Sequence, residues 1–154
     1  MRLALFQPDI PQNLGAAIRL CACLDVLLDV IEPCAFPLDN RALRRAALDY
    51  GPSAGISLHS SWSAFAAAPQ RGEGRLVLFT TTAARPYVDF AFARGDTLLF
   101  GRESAGAPPE VHEAAQARLV IPLAPGLRSL NVVTAAAMAV GEALRQTRGF
   151  PPAP

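Results

Sequence analysis

Apolar runs of strand length alternate along this chain with segments of helical period. Arg2–Phe6 is a continuous run that reads as a buried strand, and the prolines of Gln7-Pro8-Asp9-Ile10-Pro11-Gln12 hold the next stretch extended. Asn13 can cap a helix over about 14–24, because Leu14, Ala17, Ile18 and Cys21 recur on one face. A second strand covers 26–31 and closes at Glu32-Pro33. Asn40 caps a helix through Leu48, a short strand follows at 55–59, and a short helix at 62–67. Gly72-Glu73-Gly74 turns the chain into the apolar strand 76–80, and Asp96 opens another, Thr97–Phe100, that stops at Gly101. A helix near 109–115 leads to a strand at 118–121, and a long last helix, about 131–146, precedes a Pro-rich end.

Continuous apolar strands interleaved with helices imply a single α/β domain, a mostly parallel sheet with helices on both faces. Ligands of such sheets gather beyond the carboxyl ends of the strands. The loops after Phe6, Thr80, Phe100 and Ile121 are therefore where chemistry is expected, and they hold most of the unusual residues.

Composition narrows the class. With 154 residues, 51% hydrophobic and 18% charged, the chain suits one domain with a sizeable core rather than a disordered segment. No apolar run approaches the ~18 residues that cross a bilayer, and Met1 to Asp9 is too short and too soon acidic for a signal peptide. Both point to a cytoplasmic protein without a membrane partner. All 14 cations are arginine, so every one is a planar fork able to grip phosphate or carboxylate. A net charge of +1 gives no global field for nucleic acid, so any such binding uses local patches and no DNA partner is expected. Cys21, Cys23 and Cys34 lack paired zinc spacing and read as buried small hydrophobes; no metal site is expected.

Four segments carry candidate chemistry. Gly101-Arg102-Glu103-Ser104-Ala105-Gly106 follows a strand but is no P-loop, since Ala107-Pro108 stand where Lys and Ser/Thr belong. Its first glycine lets backbone approach a ligand, and Glu103 can accept hydrogen bonds or hold a cation; an ordinary strand-to-helix turn is the alternative. Asn13 and Arg19 put an amide and a guanidinium near one strand end, or merely cap a helix and solvate its face. Ile121 to Asn131 is a Pro/Gly loop running into an Ala-rich helix, with Asn131 as a cap. Arg41, Arg44 and Arg45 share one helix face, either solvated or contacting phosphate. Gly51-Pro52-Ser53-Ala54-Gly55 imitates a nucleophile elbow, but that motif needs a strand before it and a helix after, the reverse of the order here.

Together these segments resemble the SPOUT class of methyltransferases, most closely the small tRNA 2'-O-methyltransferases of the wobble nucleotide. The resemblance runs from about residue 2 to 150 through landmarks in register. They are Pro-x-Ile-Pro-x-Asn-x-Gly from Pro8, Ile18-Arg19-Leu20, Ile31-Glu32-Pro33, Leu43-Arg44-Arg45-Ala46, Leu48-Asp49-Tyr50, Phe100-Gly101-x-Glu103, Ile121-Pro122 and Arg128-Ser129-Leu130-Asn131. Departures are Asp9 where Glu is common, Ala16-Ala17 after Gly15, Arg102, Ser104 and Ala105 in the strand-end loop, and Val132-Val133-Thr134 after Asn131. The resemblance implies one methyltransferase domain at 1–150, a Pro-rich tail at 151–154, a C-terminal trefoil knot and a homodimer. It implies methylation, with S-adenosylmethionine as cofactor, of the 2'-hydroxyl of cytidine or modified uridine 34 in leucine tRNAs, bound through the anticodon loop. Carried over by position, Phe79, Thr80, Gly101, Glu103, Ile121, Ser129 and Leu130 would line the cofactor site. Arg19, Asn13, Glu103, Ser129 and Asn131 would be catalytic, with Arg19 and Asn13 facing the ribose. RNA would be held by Arg19, Arg41, Arg44 and Arg45. The small residues of the last helix would pack at the dimer seam. The alternatives are a 2'-O-methyltransferase for another tRNA or rRNA position, a catalytically silent RNA-binding dimer, and a serine hydrolase using Ser53.

Overall fold

The computed structural model describes residues 1–38, 55–69 and 72–152. Among the described residues, seven parallel strands form one sheet: β1 (Arg2–Phe6), β2 (Leu27–Ile31), β3 (Ile56–His59), β4 (Leu76–Phe79), β5 (Arg85–Pro86), β6 (Thr97–Phe100) and β7 (Ala117–Val120). Their order is β3-β2-β1-β6-β4-β7-β5. The helices are α1 (Pro11–Leu24), α2 (Trp62–Ala66), α3 (Pro109–Ala114) and α4 (Val132–Thr147). Among the described residues no helix is long and apolar enough to cross a membrane.

Strand alternation splits the core in two. Leu3, Leu5, Val30, Val77, Leu98 and Leu119 face α1 and α4, which bring Leu14, Ile18 and Cys21 and Ala136, Ala139, Val140 and Leu144. Ala4, Phe6, Ile31, Leu78 and Leu99 face Phe65 of α2 and Val111 of α3. Burial on both faces is why these strands carry unbroken apolar runs.

The expected elements that fall on the described residues are present, their ends within three residues of the reading, with three corrections. Pro11 at the first helical position starts α1 early and Ile10 is its cap residue, so Asn13 lies inside the helix rather than capping it. The edge strand β5 and a short 3-10 turn, Tyr87–Asp89, were not foreseen, since two residues with a proline carry no periodic signal. Cys21 is buried, its thiol pushed up to about 12 by burial and by Asp29, whereas Cys23 is exposed and Cys34 half-buried. The expected helix over 40–48, with Arg41, Arg44 and Arg45, and residues 51–54 of the elbow-like motif lie outside the described residues. A strand does follow that motif, and its His59 is turned inward onto Asp29.

Candidate functional site

Strands β1, β6, β4 and β7 are neighbours, so the four loops named above leave the sheet side by side. From β1 the chain builds β2 and β3 to one side and places its later strands on the other, and such a reversal is where α/β sheets open a crevice. A cleft of about 560 Å³ lies there, floored by Phe79 and Phe100, whose rings stack at 4.8 Å. That size suits a drug-sized ligand. Phe79, Thr80, Gly101, Glu103, Ile121, Ser129 and Leu130 all line it, as do Asn13 and Asn131. Arg19 does not: it is exposed on α1 and is not among the lining residues.

Three polar side chains form a directional relay across the cleft wall. Asn131 caps α4, its Oδ1 accepting from the amides of Val133 (2.9 Å) and Thr134 (3.2 Å). Its Nδ2 must then donate, and does, to Oδ1 of Asn13 at 2.9 Å. Asn13 Nδ2 donates in turn to Glu103 Oε1 at 2.9 Å. Because the helix amides fix the first amide group, neither asparagine can flip without opposing two donors. Glu103 Oε2 accepts from the backbone of Asp9 at 2.8 Å. The earlier onset of α1 is what turns Asn13 inward to make this connection.

Sequence reasoning missed the neighbouring clasp. Arg102 donates to Asp9 Oδ1 from Nε (3.1 Å) and Nη2 (2.7 Å), and from Nη1 to Gln7 Oε1 (3.3 Å). Asp9 Oδ2 accepts from the Ser104 amide at 3.0 Å and from the Ser104 hydroxyl. The signal available was that Asp9, Arg102 and Ser104 all depart from the family pattern and the first two carry opposite charges. Arg128, Leu123 and Thr81 also line the cleft without having been assigned there.

The Arg102 guanidinium, then the Ser104 hydroxyl, hold the Asp9 carboxyl down to about 2. A depressed carboxyl contributes stability that is complete above its unfolded range and disappears as pH falls through the folded value. Urea midpoints of the protein and of Asp9→Asn should therefore differ at neutral pH and converge on acidification toward about pH 2.

The sequence profile described as "SpoU rRNA Methylase family" matches residues 1–141. The tRNA (cytidine(34)-2'-O)-methyltransferase of Beijerinckia indica is 56% identical over 144 residues, 94% of this chain and 90% of that one. A solved structure described as "Structural insights into the 2-OH methylation of C/U34 on tRNA" has a TM-score of 0.83 at 40% identity, covering 94% of this chain and 89% of that chain. The SpoU methyltransferase AviRb from Streptomyces viridochromogenes, solved in complex with AdoMet, has a TM-score of 0.80 at 25% identity, over 95% of this chain and 60% of its own.

Proposed function

This chain belongs to the SpoU rRNA Methylase family, and we propose on that footing that it methylates the ribose 2'-hydroxyl of nucleotide 34 in tRNA, with S-adenosylmethionine as donor. Cytidine or a modified uridine at the wobble position of leucine tRNAs is the substrate in this reading. The observation that carries it is the convergence of four strand-end loops on one cleft, in a chain 56% identical to a tRNA (cytidine(34)-2'-O)-methyltransferase.

The residues present fit the cofactor. Its adenine suits the apolar surface of Phe79, Ile121 and Leu130, and Gly101 lets the strand-end backbone come close. When bound, it supplies a methyl group already activated by the sulfonium. What remains for the protein is to align the hydroxyl in line with that methyl and help it lose its proton. Glu103, Asn13 and Asn131 brace the loops that do the aligning, with Ser129 beside them. Arg19 lies on α1 outside the lining of its own chain's cleft. In this reading the bound RNA brings the target ribose to it, and it acts as a clamp on a neighbouring phosphate and on developing alkoxide charge rather than as a base, which a guanidinium makes poorly. Replacing Arg19 by Lys should lower kcat by on the order of 100-fold, since the fork geometry is lost while charge is kept. An unaffected kcat in single-turnover assays would remove Arg19 from the reaction.

The same reading takes residues 1–150 as one methyltransferase domain, passes the C-terminal loops through a trefoil knot and pairs two copies. Leu127, 67% exposed, Met138 on α4 and Leu130 at the cleft offer apolar surface for a second copy. The alanines Ala136, Ala139 and Ala143 pack inside the chain's own core, which leaves Ala137, Met138 and Gly141 for the seam. Arg41, Arg44 and Arg45 are proposed to meet anticodon-loop phosphates.

The deciding experiment is tritium transfer from labelled S-adenosylmethionine to bulk tRNA, followed by nuclease digestion and mapping. Label in a 2'-O-methyl pyrimidine at position 34 is the expected result. Label elsewhere in tRNA or only in rRNA would move the target. Cofactor binding without transfer to any RNA would favour the silent RNA-binding alternative.

A further inference from the structure

Resting on the methyltransferase assignment, we propose that Arg102 is a positioning residue: its ion pair with Asp9 keeps Glu103 and Asn13 aligned with Asn131 across the mouth of the cleft. A partly exposed arginine lining the site of an RNA-modifying enzyme would ordinarily be taken for a phosphate contact. Its geometry argues otherwise. All three of its guanidinium nitrogens already donate within the protein, Nε and Nη2 to one oxygen of Asp9 and Nη1 to Gln7.

Asp9 is bonded to three consecutive residues of the opposing loop. Its carboxylate takes Arg102 and Ser104, and its amide donates to Glu103 between them. That opposing loop is itself a closed turn, with Arg102 N donating to Gly106 O (3.0 Å) and Gly106 N to Arg102 O (2.8 Å). The β1 loop and the β6 turn are thus joined through charge-assisted bonds, the strongest type available to them. The relay from Glu103 through Asn13 to Asn131 runs across this joint, its direction set by the two backbone amides that Asn131 caps. Any slippage between the two loops breaks at least one of its bonds. The ion pair at the rim opposes that slippage.

The test is a double-mutant cycle on the full-length protein with purified tRNA. Arg102→Ala and Asp9→Ala should each lower kcat by on the order of 10-fold or more, with KM for tRNA and for S-adenosylmethionine changed less than about threefold. The double variant should be no worse than either single one, and Arg102→Lys should recover part of the rate. A phosphate contact gives a different pattern. Arg102→Ala would then raise KM for tRNA and reduce the salt slope by about one, while Asp9→Ala, which frees the guanidinium, would leave binding intact or tighten it. That pattern overturns the proposal. A readout independent of turnover keeps the two assignments separable: amide hydrogen exchange at Asp9 and Ser104. Faster exchange in Arg102→Ala supports the clasp even if the wild-type protein methylates no tRNA, which would defeat the substrate assignment alone. Exchange unchanged from wild type overturns the clasp whatever the activity.

Discussion

Replacing Gly101 by alanine is expected to abolish methyl transfer, by at least about 100-fold, and to eliminate measurable S-adenosylmethionine binding. A Cβ on residue 101 would lie 2.4 Å from the carbonyl carbon of Gly106, 2.5 Å from the nitrogen of Ala107 and 2.8 Å from the oxygen of Gly106. All three are backbone atoms of the turn that closes back on Arg102, so no side chain can swing aside. The turn has to open. Opening it separates Glu103 from Asn13 and Arg102 from Asp9, and moves the strand end that forms one wall of the cleft. Gly15→Ala is the matching control, because a Cβ there meets nothing within 4 Å and the residue lies within α1, where alanine is the better helix former. Titration calorimetry with S-adenosylmethionine and a transfer assay on both variants would check this. Binding within about threefold of wild type in Gly101→Ala would mean that the β6 turn is not part of the cofactor site.

The fold was legible where a strand is buried on both faces. Leu3, Leu5 and Val30 meet one helical layer and Ala4, Phe6 and Ile31 the other, and each such run stands out against its polar flanks without any knowledge of its neighbours. The cleft was legible for a related reason: in a parallel sheet every loop that can meet a ligand leaves from the same edge, so Thr80, Gly101 and Ile121 could be grouped before their strands were ordered. Pairings between distant residues left no such trace. Asp9 and Arg102 lie 93 positions apart, and nothing in local pattern links an acid in a Pro-rich loop to a base after a strand. Asn13 was misplaced by a competing signal, because an asparagine before an apolar period reads as a cap even when Pro11 has already begun the helix.

The second large effect is on stability and concerns a cluster no periodicity could reveal. Asp29 should be the most damaging single position to truncate on the other side of β1, at a cost of about 3–5 kcal/mol. It is 1% exposed and accepts from Arg2 Nε at 2.6 Å and Nη2 at 2.8 Å. His59 Nε2 lies 2.7 Å from its Oδ1, which makes that nitrogen the donor. Asp29→Ala leaves the buried guanidinium of Arg2, among the described residues, with only Ser57 Oγ at 3.4 Å, and takes from the His59 ring its acceptor. A buried cation stripped of its partner is far costlier than a pair replaced whole, so converting Arg2, Asp29 and His59 together to Met, Leu and Phe should be close to neutral or stabilising. Set against a typical ~5–15 kcal/mol for a domain, the single truncation removes a large share of the total. Urea unfolding at unchanged slope should register it as a lower midpoint. Since β2 contributes nothing to the cleft lining, the fraction that remains folded should bind S-adenosylmethionine as the wild type does. A loss below about 1 kcal/mol would show that water reaches Arg2 and that the cluster is not the closed ion pair its distances describe.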